Sequence, residues 1–265
     1  MTKAKKVQKD DTNYDEIKNK IIDLFVKKVN GRKPDTSKSN KGHDGKDGHW
    51  LETQMGIAHN GKNEPDLWGF EMKNNTSSKT TFGDWSAGYY IFKDKDYVIS
   101  RDEFMVIFGA PNVLKKNRYS WSGKPTPKVN GYNSFGQILI VDKKDNIEAV
   151  YSFSEDKRPD KKKIVPRSMQ KDNLVIAKWD ALMMKKRVED KFNKMGWFKC
   201  QKDIDGLYTT IDFGAPITFK NWIKGVKKGL IFFDSGMYQG NARPYSEWRA
   251  DNKYWESLVT ESFWF

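Results

Sequence analysis

The residues best suited to chemistry lie in "GHWLETQMGIAHNGKNEPDLWGFEMKNN", Gly48 to Asn75. This stretch holds Glu52, Asp66, Glu71 and Lys73, the last three in "PDLWGFEMK". An aspartate at the start of a strand and a glutamate a few residues on can converge their oxygens on one hard cation. Mg²⁺ suits such a pair, because it takes few protein ligands and keeps waters and phosphate oxygens in its other positions. A lysine beside them can orient a water or balance charge developing on an attacked phosphate. The bare spacing would also fit a solvated charged strand face, since acids and lysines are frequent in this chain. Two features favour a site. Trp68 and Phe70 predict a half-buried segment, where unpaired charges are costly, and Glu52 upstream supplies a third carboxylate.

Several elements must position these groups. "LWGFEMKNN" predicts a strand with Glu71 and Lys73 on one face and Met72 turned to a core on the other. Pro65 disfavours helix for the residue before it and opens the segment. "HWLETQMGIA" predicts a short helix carrying Glu52. "YDEIKNKIIDLFVKKVNG" predicts a longer one, with Ile17, Ile21, Ile22, Leu24, Phe25 and Val29 at helical spacing and Gly31 as its stop. Residues 1–12 read as a basic tail and "RKPDTSKSNKGHDGKDG" as a loop. Downstream, "YVISRDEFMVIFG" predicts a second buried strand, and "QILIVDKKDNIEAVYSF" a hairpin turning at Lys143 to Asn146. Leu174 to Met195 predicts an amphipathic helix, "FKCQKDIDGLYTTIDFG" another hairpin, and "ITFKNWIKGVKKG" a short helix leading into the strand "LIFFD". The economical architecture is a single α/β or α+β unit over 1–265.

Composition bounds the partner. Lys and Arg number 48 against 35 Asp and Glu, a net charge of +13, and aromatics make up 14% of the chain. A folded chain this basic and aromatic points to a polyanion, nucleic acid first. The single Cys200 excludes an internal disulfide framework and a cysteine-cluster zinc site. His59-Asn60 invites an HNH-type reading, but no second histidine follows at a suitable distance, and His43, His49 and His59 read as loop or cap residues. Without an apolar leader or a run near ~18 apolar residues, the expectation is a cytoplasmic protein with no membrane partner. No phosphate-binding glycine loop, dinucleotide fingerprint or serine elbow is present.

Two further stretches suit DNA contact. "KKNRYSWSGKPTPKVNGYN" interleaves Lys115, Lys116, Arg118, Lys124 and Lys128 with Tyr119, Trp121 and Tyr132, a pattern suited to neutralising phosphates while the rings anchor the loop. "DSGMYQGNARPYSEWR" has backbone room at Gly236 and Gly240 and donors on Asn241, Arg243 and Arg249. Arginine can pair with guanine and asparagine with adenine in the major groove. An ordinary glycine-rich turn is the alternative.

"LETQMG" followed by "PDLWGFEMK" resembles the active-site region of MutH-like mismatch-repair nickases and their restriction-enzyme relatives, members of the PD-(D/E)xK superfamily. The resemblance implies a mixed central sheet flanked by helices, with two lobes around a DNA cleft: 13–110 catalytic, 111–265 for recognition and the remaining core. It implies Asp66 and Glu71 as metal ligands, Lys73 as the catalytic lysine, and Glu52 as a helix acid completing the metal site. Downstream, "AKWDALMMKK", "FKNWIKGVKKGLIFFDSGMYQG" and "YSEWRA" resemble the MvaI–BcnI group of restriction endonucleases. That likeness implies DNA contacts from Ser235, Gly236, Gly240, Asn241, Arg243 and Arg249, although "NARPYSEWRA" lacks the group's histidines. The likeness is specific over 45–80, loose over 172–250 and absent over 89–172. It implies a type II restriction endonuclease, cutting double-stranded DNA at a short CC/GG-flanked site with Mg²⁺ (Mn²⁺ substituting) and leaving 5′-phosphate ends. A monomer or homodimer would act beside a cognate DNA methyltransferase. The rival readings are a strand-nicking mismatch-repair enzyme and a non-catalytic DNA- or RNA-binding protein.

Overall fold

The computed structural model describes residues 11–37, 45–58 and 62–265; His43, His59 and most of the basic tail lie outside them. The chain forms two compact units: Met1–Ser77 with Asp190–Ile217 and Glu256–Phe265, and Ser78–Glu189 with Thr218–Trp255. A cut at residue 110, as expected from the lobes, is therefore replaced by interleaved segments. The reason is that the strand carrying Glu71 finds its sheet partner more than a hundred residues downstream.

In the first unit that partner is Gly196–Lys202, which runs parallel to Phe70–Asn74 with Glu71 opposite Trp197 and Lys73 opposite Lys199. Tyr208–Gly214 and Val259–Trp264 extend the sheet by antiparallel pairing. Alternation makes one face apolar. Phe70, Met72, Phe198, Cys200, Ile211 and Phe213 pack with Ile21 and Phe25 of helix Asp11–Lys28, and with Leu51 and Met55 at helix Lys46–Gln54. Both helices and the Gly196–Gly214 hairpin follow the sequence expectation, and Met72 turns to the core as its parity requires. Glu71 and Lys73 lie on the opposite face.

The second unit holds three small sheets. Their strand sets are Ile231–Asp234, Glu247–Asp251 and Lys79–Asp84; Met237–Tyr238, Arg118–Trp121 and Ala110–Asn112; and Tyr89–Tyr90, Leu174–Trp179, Ile147–Asp156 and Phe135–Val141. Trp121, Trp179, Trp248 and Phe233 form a cluster of edge-to-face and tilted ring pairs, with Trp179 and Phe233 centroids 4.8 Å apart. Such ring pairs add to burial energy.

Two expected elements differ. The apolar run after Ser100 is the helix Arg101–Phe108, not a strand. Ser100 Oγ accepts from Glu103 N and Glu103 answers by accepting from Ser100 N, a reciprocal cap that starts a helix despite the β-like apolar run. The helix expected from Leu174 to Met195 is the strand Leu174–Trp179 followed by the helix Ala181–Phe192. Val175 and Ile176 favour the pleated geometry, and Asp180 Oδ1 accepts from Leu182 N at 2.9 Å, so the helix starts there.

Phe70 is fully buried against Tyr14, Phe198 and Phe213. Phe70→Ala should cost about 3–5 kcal/mol, read as a lowered urea midpoint with an unchanged slope.

Candidate active site

A tight turn precedes the Phe70–Asn74 strand. Leu67 and Phe70 exchange backbone bonds of 3.0 and 2.9 Å across Trp68 (φ +48°) and Gly69 (φ +95°). A Cβ on Gly69 would lie 2.9 Å from Met195 Cγ, so glycine suits both the angle and the close approach. The turn folds Asp66 back over the strand, where its Oδ2 accepts from Met72 N at 2.9 Å. Trp68 is half exposed, so the burial of this segment comes from Phe70 and not from both rings.

Glu71 is 2% exposed. Its Oε1 accepts from Lys73 Nζ at 2.7 Å and pairs with Lys191 Nζ at 3.0 Å, while its Oε2 is buried with no hydrogen-bond partner. Lys191, from the last turn of the Ala181–Phe192 helix, was not singled out in the sequence, since no local pattern ties it to Glu71. Burial and then the neighbouring Glu71 charge push the Asp66 carboxyl up to about 7. Burial lowers the Lys73 ammonium, against the pull of Glu71. A half-buried Asp66 and a buried Glu71 with one unpaired oxygen, with no histidine or cysteine beside them among the described residues, fit a hard divalent cation.

Glu52 is not part of this group. Among the described residues no three His, Cys, Asp or Glu side chains gather as metal ligands. Glu52 lies 3.5 Å from His49 Nδ1, on a helix whose Leu51 and Met55 pack against the other face of the sheet.

Further along the site's face, Lys199 is buried and stands between Lys73 and Asp212 in the ladder. Asp212 accepts from Gln201 Nε2 and Ser262 Oγ, each at 2.7 Å. Alternation within "FKCQ" and "TIDFG" could have placed Lys199 and Asp212 here once the hairpin was drawn. Cys200 points to the apolar face, where burial pushes its thiol up.

The family model described as "LlaMI restriction endonuclease" matches residues 29–263. The chain belongs to the LlaMI restriction endonuclease family. It is 48% identical over 264 residues to the type II restriction enzyme ScrFI of Lactococcus lactis subsp. cremoris, covering 92% of this chain and 97% of the relative. Among solved structures it resembles the restriction endonuclease MvaI in complex with its cognate DNA substrate. The TM-score there is 0.61 at 12% identity, over 96% of this chain and 99% of the other. That likeness concerns the fold, which is the PD-(D/E)xK type expected from the motif.

In this LlaMI-family chain the expected DNA-contact residues divide into two kinds. Lys115, Lys116, Lys124 and Lys128 are exposed, and Lys124 and Lys128 line a cleft of about 720 Å³ with Tyr132 and Phe232. Arg118 is half-buried, its guanidinium 3.5 Å from the centroid of the Tyr238 ring. Ser235 and Asn241 are instead buried at 0% and 5% exposure. Ser235 Oγ accepts from Met237 N and Asn241 Oδ1 from Tyr238 N, so both hold the glycine loop's own backbone. Gly236 and Gly240, at φ +67° and +83°, supply its turns. Arg243 pairs with Asp84 at 2.5 Å, and Arg249 with Glu247 and Asp234. Those three acids neighbour one another in register, Asp234 opposite Glu247 and Glu247 opposite Asp84, and burial raises the Glu247 carboxyl. Like charges side by side on a sheet repel, and the two arginines offset them.

The Asp66 shift carries a pH signature. A carboxyl raised from 3.8 to about 7 binds its proton more tightly in the folded state. Stability therefore falls as pH rises between about 4 and 7 and levels off above. Without divalent cations, Asp66→Asn should flatten this fall and raise stability at pH 8 by on the order of 2 kcal/mol. Thermal melts at pH 5 and pH 8 in chelator check it; a variant no more stable than the parent at pH 8 would contradict the burial argument.

Proposed function

We propose that this chain is a type II restriction endonuclease that hydrolyses double-stranded DNA at the Asp66–Glu71–Lys73 cluster, with Mg²⁺ as its cation and Mn²⁺ as a substitute. The observation that carries this reading is Glu71: one oxygen is gripped by two lysines, the other is buried without a partner, and a second, half-buried acid stands beside it. Family membership and the ScrFI relative, named as a type II restriction enzyme, support the same activity. A binding module gains nothing from buried acids set against phosphates, whereas a nuclease requires them.

Asp66 and Glu71 would hold the cation, which supplies positive charge against the scissile phosphate and acidifies water. Lys191 and Lys73 both hold Glu71 Oε1, so the carboxylate keeps one orientation with Oε2 open. Lys73, with its ammonium pKa lowered by burial, is suited to orient the attacking water and accompany its proton loss. The water oxygen bonds to phosphorus in line as the P–O3′ bond breaks, leaving a 3′-hydroxyl and a 5′-phosphate. Glu52, outside the cluster, has no step in this scheme. The enzyme would act in the cytoplasm, beside a DNA methyltransferase that protects the same sites in the host.

Digestion of a plasmid of known sequence, followed by sequencing of the ends, should give discrete 5′-phosphate termini at one short site. Chelator should stop the reaction and Mg²⁺ or Mn²⁺ restore it. Lys73→Ala and Glu71→Ala should each lower cleavage at least about a hundredfold while retaining duplex binding in Ca²⁺. Full cleavage by either variant in Mg²⁺ would sink the assignment, and arrest at the nicked circle would favour a nickase.

A further inference from the structure

Most large apolar side chains at this surface are exposed singly, which is ordinary. Val113 and Leu114 are adjacent in the chain and 79% and 92% exposed. They form the tip of a hairpin whose strands, Ala110–Asn112 and Arg118–Trp121, pair with Asn112 opposite Arg118. After a short 3₁₀ turn the chain returns through Lys116 (φ +55°) and Asn117 (φ +58°), two consecutive non-glycine residues in the left-handed region. Asparagine visits that region readily, so the cost falls on Lys116, and such strain persists where the surroundings hold it.

The base of the hairpin enforces it. Asn117 N donates to Asn112 O at 3.0 Å. Tyr119 N donates to Gln239 Oε1 at 2.9 Å, and the fully buried Trp121 donates from Nε1 to Gln137 Oε1 at 2.7 Å. At Gly109, where the preceding helix meets the hairpin, an added Cβ would lie 2.4 Å from Ser120 O. A braced base thus presents two aliphatic side chains to solvent.

Charge indicates what covers them. Ile204, fully exposed at the tip of the Gly196–Gly214 hairpin, is flanked by Asp203 and Asp205, which would repel phosphates. Val113 and Leu114 are instead followed by Lys115, Lys116 and Arg118, the first two exposed. An apolar tip beside cations is the composition of side chains that wedge between base steps from the minor groove, where the ring stack takes the aliphatic group and lysines neutralise the flanking phosphates.

We propose that Val113 and Leu114 are a wedge that enters the minor groove of the duplex and unstacks one base step, with Lys115 and Lys116 on the adjoining phosphates. This rests on the double-stranded DNA reading above and adds the means by which the duplex is deformed.

The test uses the full chain, with Ca²⁺ in place of Mg²⁺, on duplexes containing the mapped cleavage site and 2-aminopurine at each position in turn. The parent should raise the fluorescence several-fold at one step. The double variant Val113→Ser, Leu114→Ser should lose that rise and bind about tenfold or more weakly, with an unchanged slope of affinity against salt. Lys115→Gln with Lys116→Gln should instead lower the slope by about 2 and keep the fluorescence rise at low salt. Unaltered melting temperatures confirm folding, as expected for exposed positions. A parent that cuts the site with no fluorescence rise anywhere, or a serine variant indistinguishable from the parent, overturns the wedge but leaves the nuclease reading standing. A serine variant that keeps its DNA affinity but changes from dimer to monomer in sedimentation overturns it in favour of self-association. A parent that neither binds nor cuts duplex overturns the nuclease reading, and the wedge with it.

Discussion

Glu71 holds a carboxylate inside the protein, and the first unit is arranged around that burial. An isolated charge there would be costly. The cost is offset on one oxygen only, by Lys73 from the same strand and Lys191 from a distant helix. The other oxygen is buried with no hydrogen-bond partner, where the proposed cation would bind. Asp66 adds to the imbalance, since its own carboxyl is raised by burial and by Glu71. A binding surface has no use for this arrangement, whereas a centre that draws in a cation and an anionic diester does.

The sheet makes the burial possible by dividing its two faces by chemistry. Phe70, Met72, Phe198 and Phe213 anchor the strands to two helices on one side. That frees the other side for Glu71, Lys73, Lys199 and Asp212. The same division leaves Glu52 out, because its helix packs on the apolar side. In the second unit the aromatic core around Trp179 and Trp248 plays the anchoring part. There Arg249 and the more exposed Arg243 are paired with a row of acids.

Much of this was legible along the chain. Strand parity alone put Glu71 and Lys73 together with Met72 opposite, and the helical spacing of Ile21 and Phe25 described the first helix. The motif around Asp66, Glu71 and Lys73 led to the nuclease fold. Two errors have local causes that were also present. The capping box at Ser100 and Glu103 was outweighed by the apolar run after it, and Asp180 marked a helix start inside a stretch read as one continuous helix. Ser235 and Asn241 were read as DNA contacts because a polar residue in a glycine loop carries no label saying whether its own backbone will use it.

By itself the sequence determined the chemistry on offer: a glutamate and a lysine at strand spacing with an aspartate just upstream, a basic and aromatic composition, and no cysteine cluster. These follow from residue type and the two-residue period of a strand, both local properties. Only the tertiary structure decided which charges meet. Lys191 reaches Glu71 from 120 positions away, Glu52, only 19 residues from it, lies on a helix packed against the sheet's apolar face, and the two units are interleaved along the chain. The physical reason is that charge pairing and burial depend on distance in space, which strand pairing between remote segments sets and no local pattern encodes.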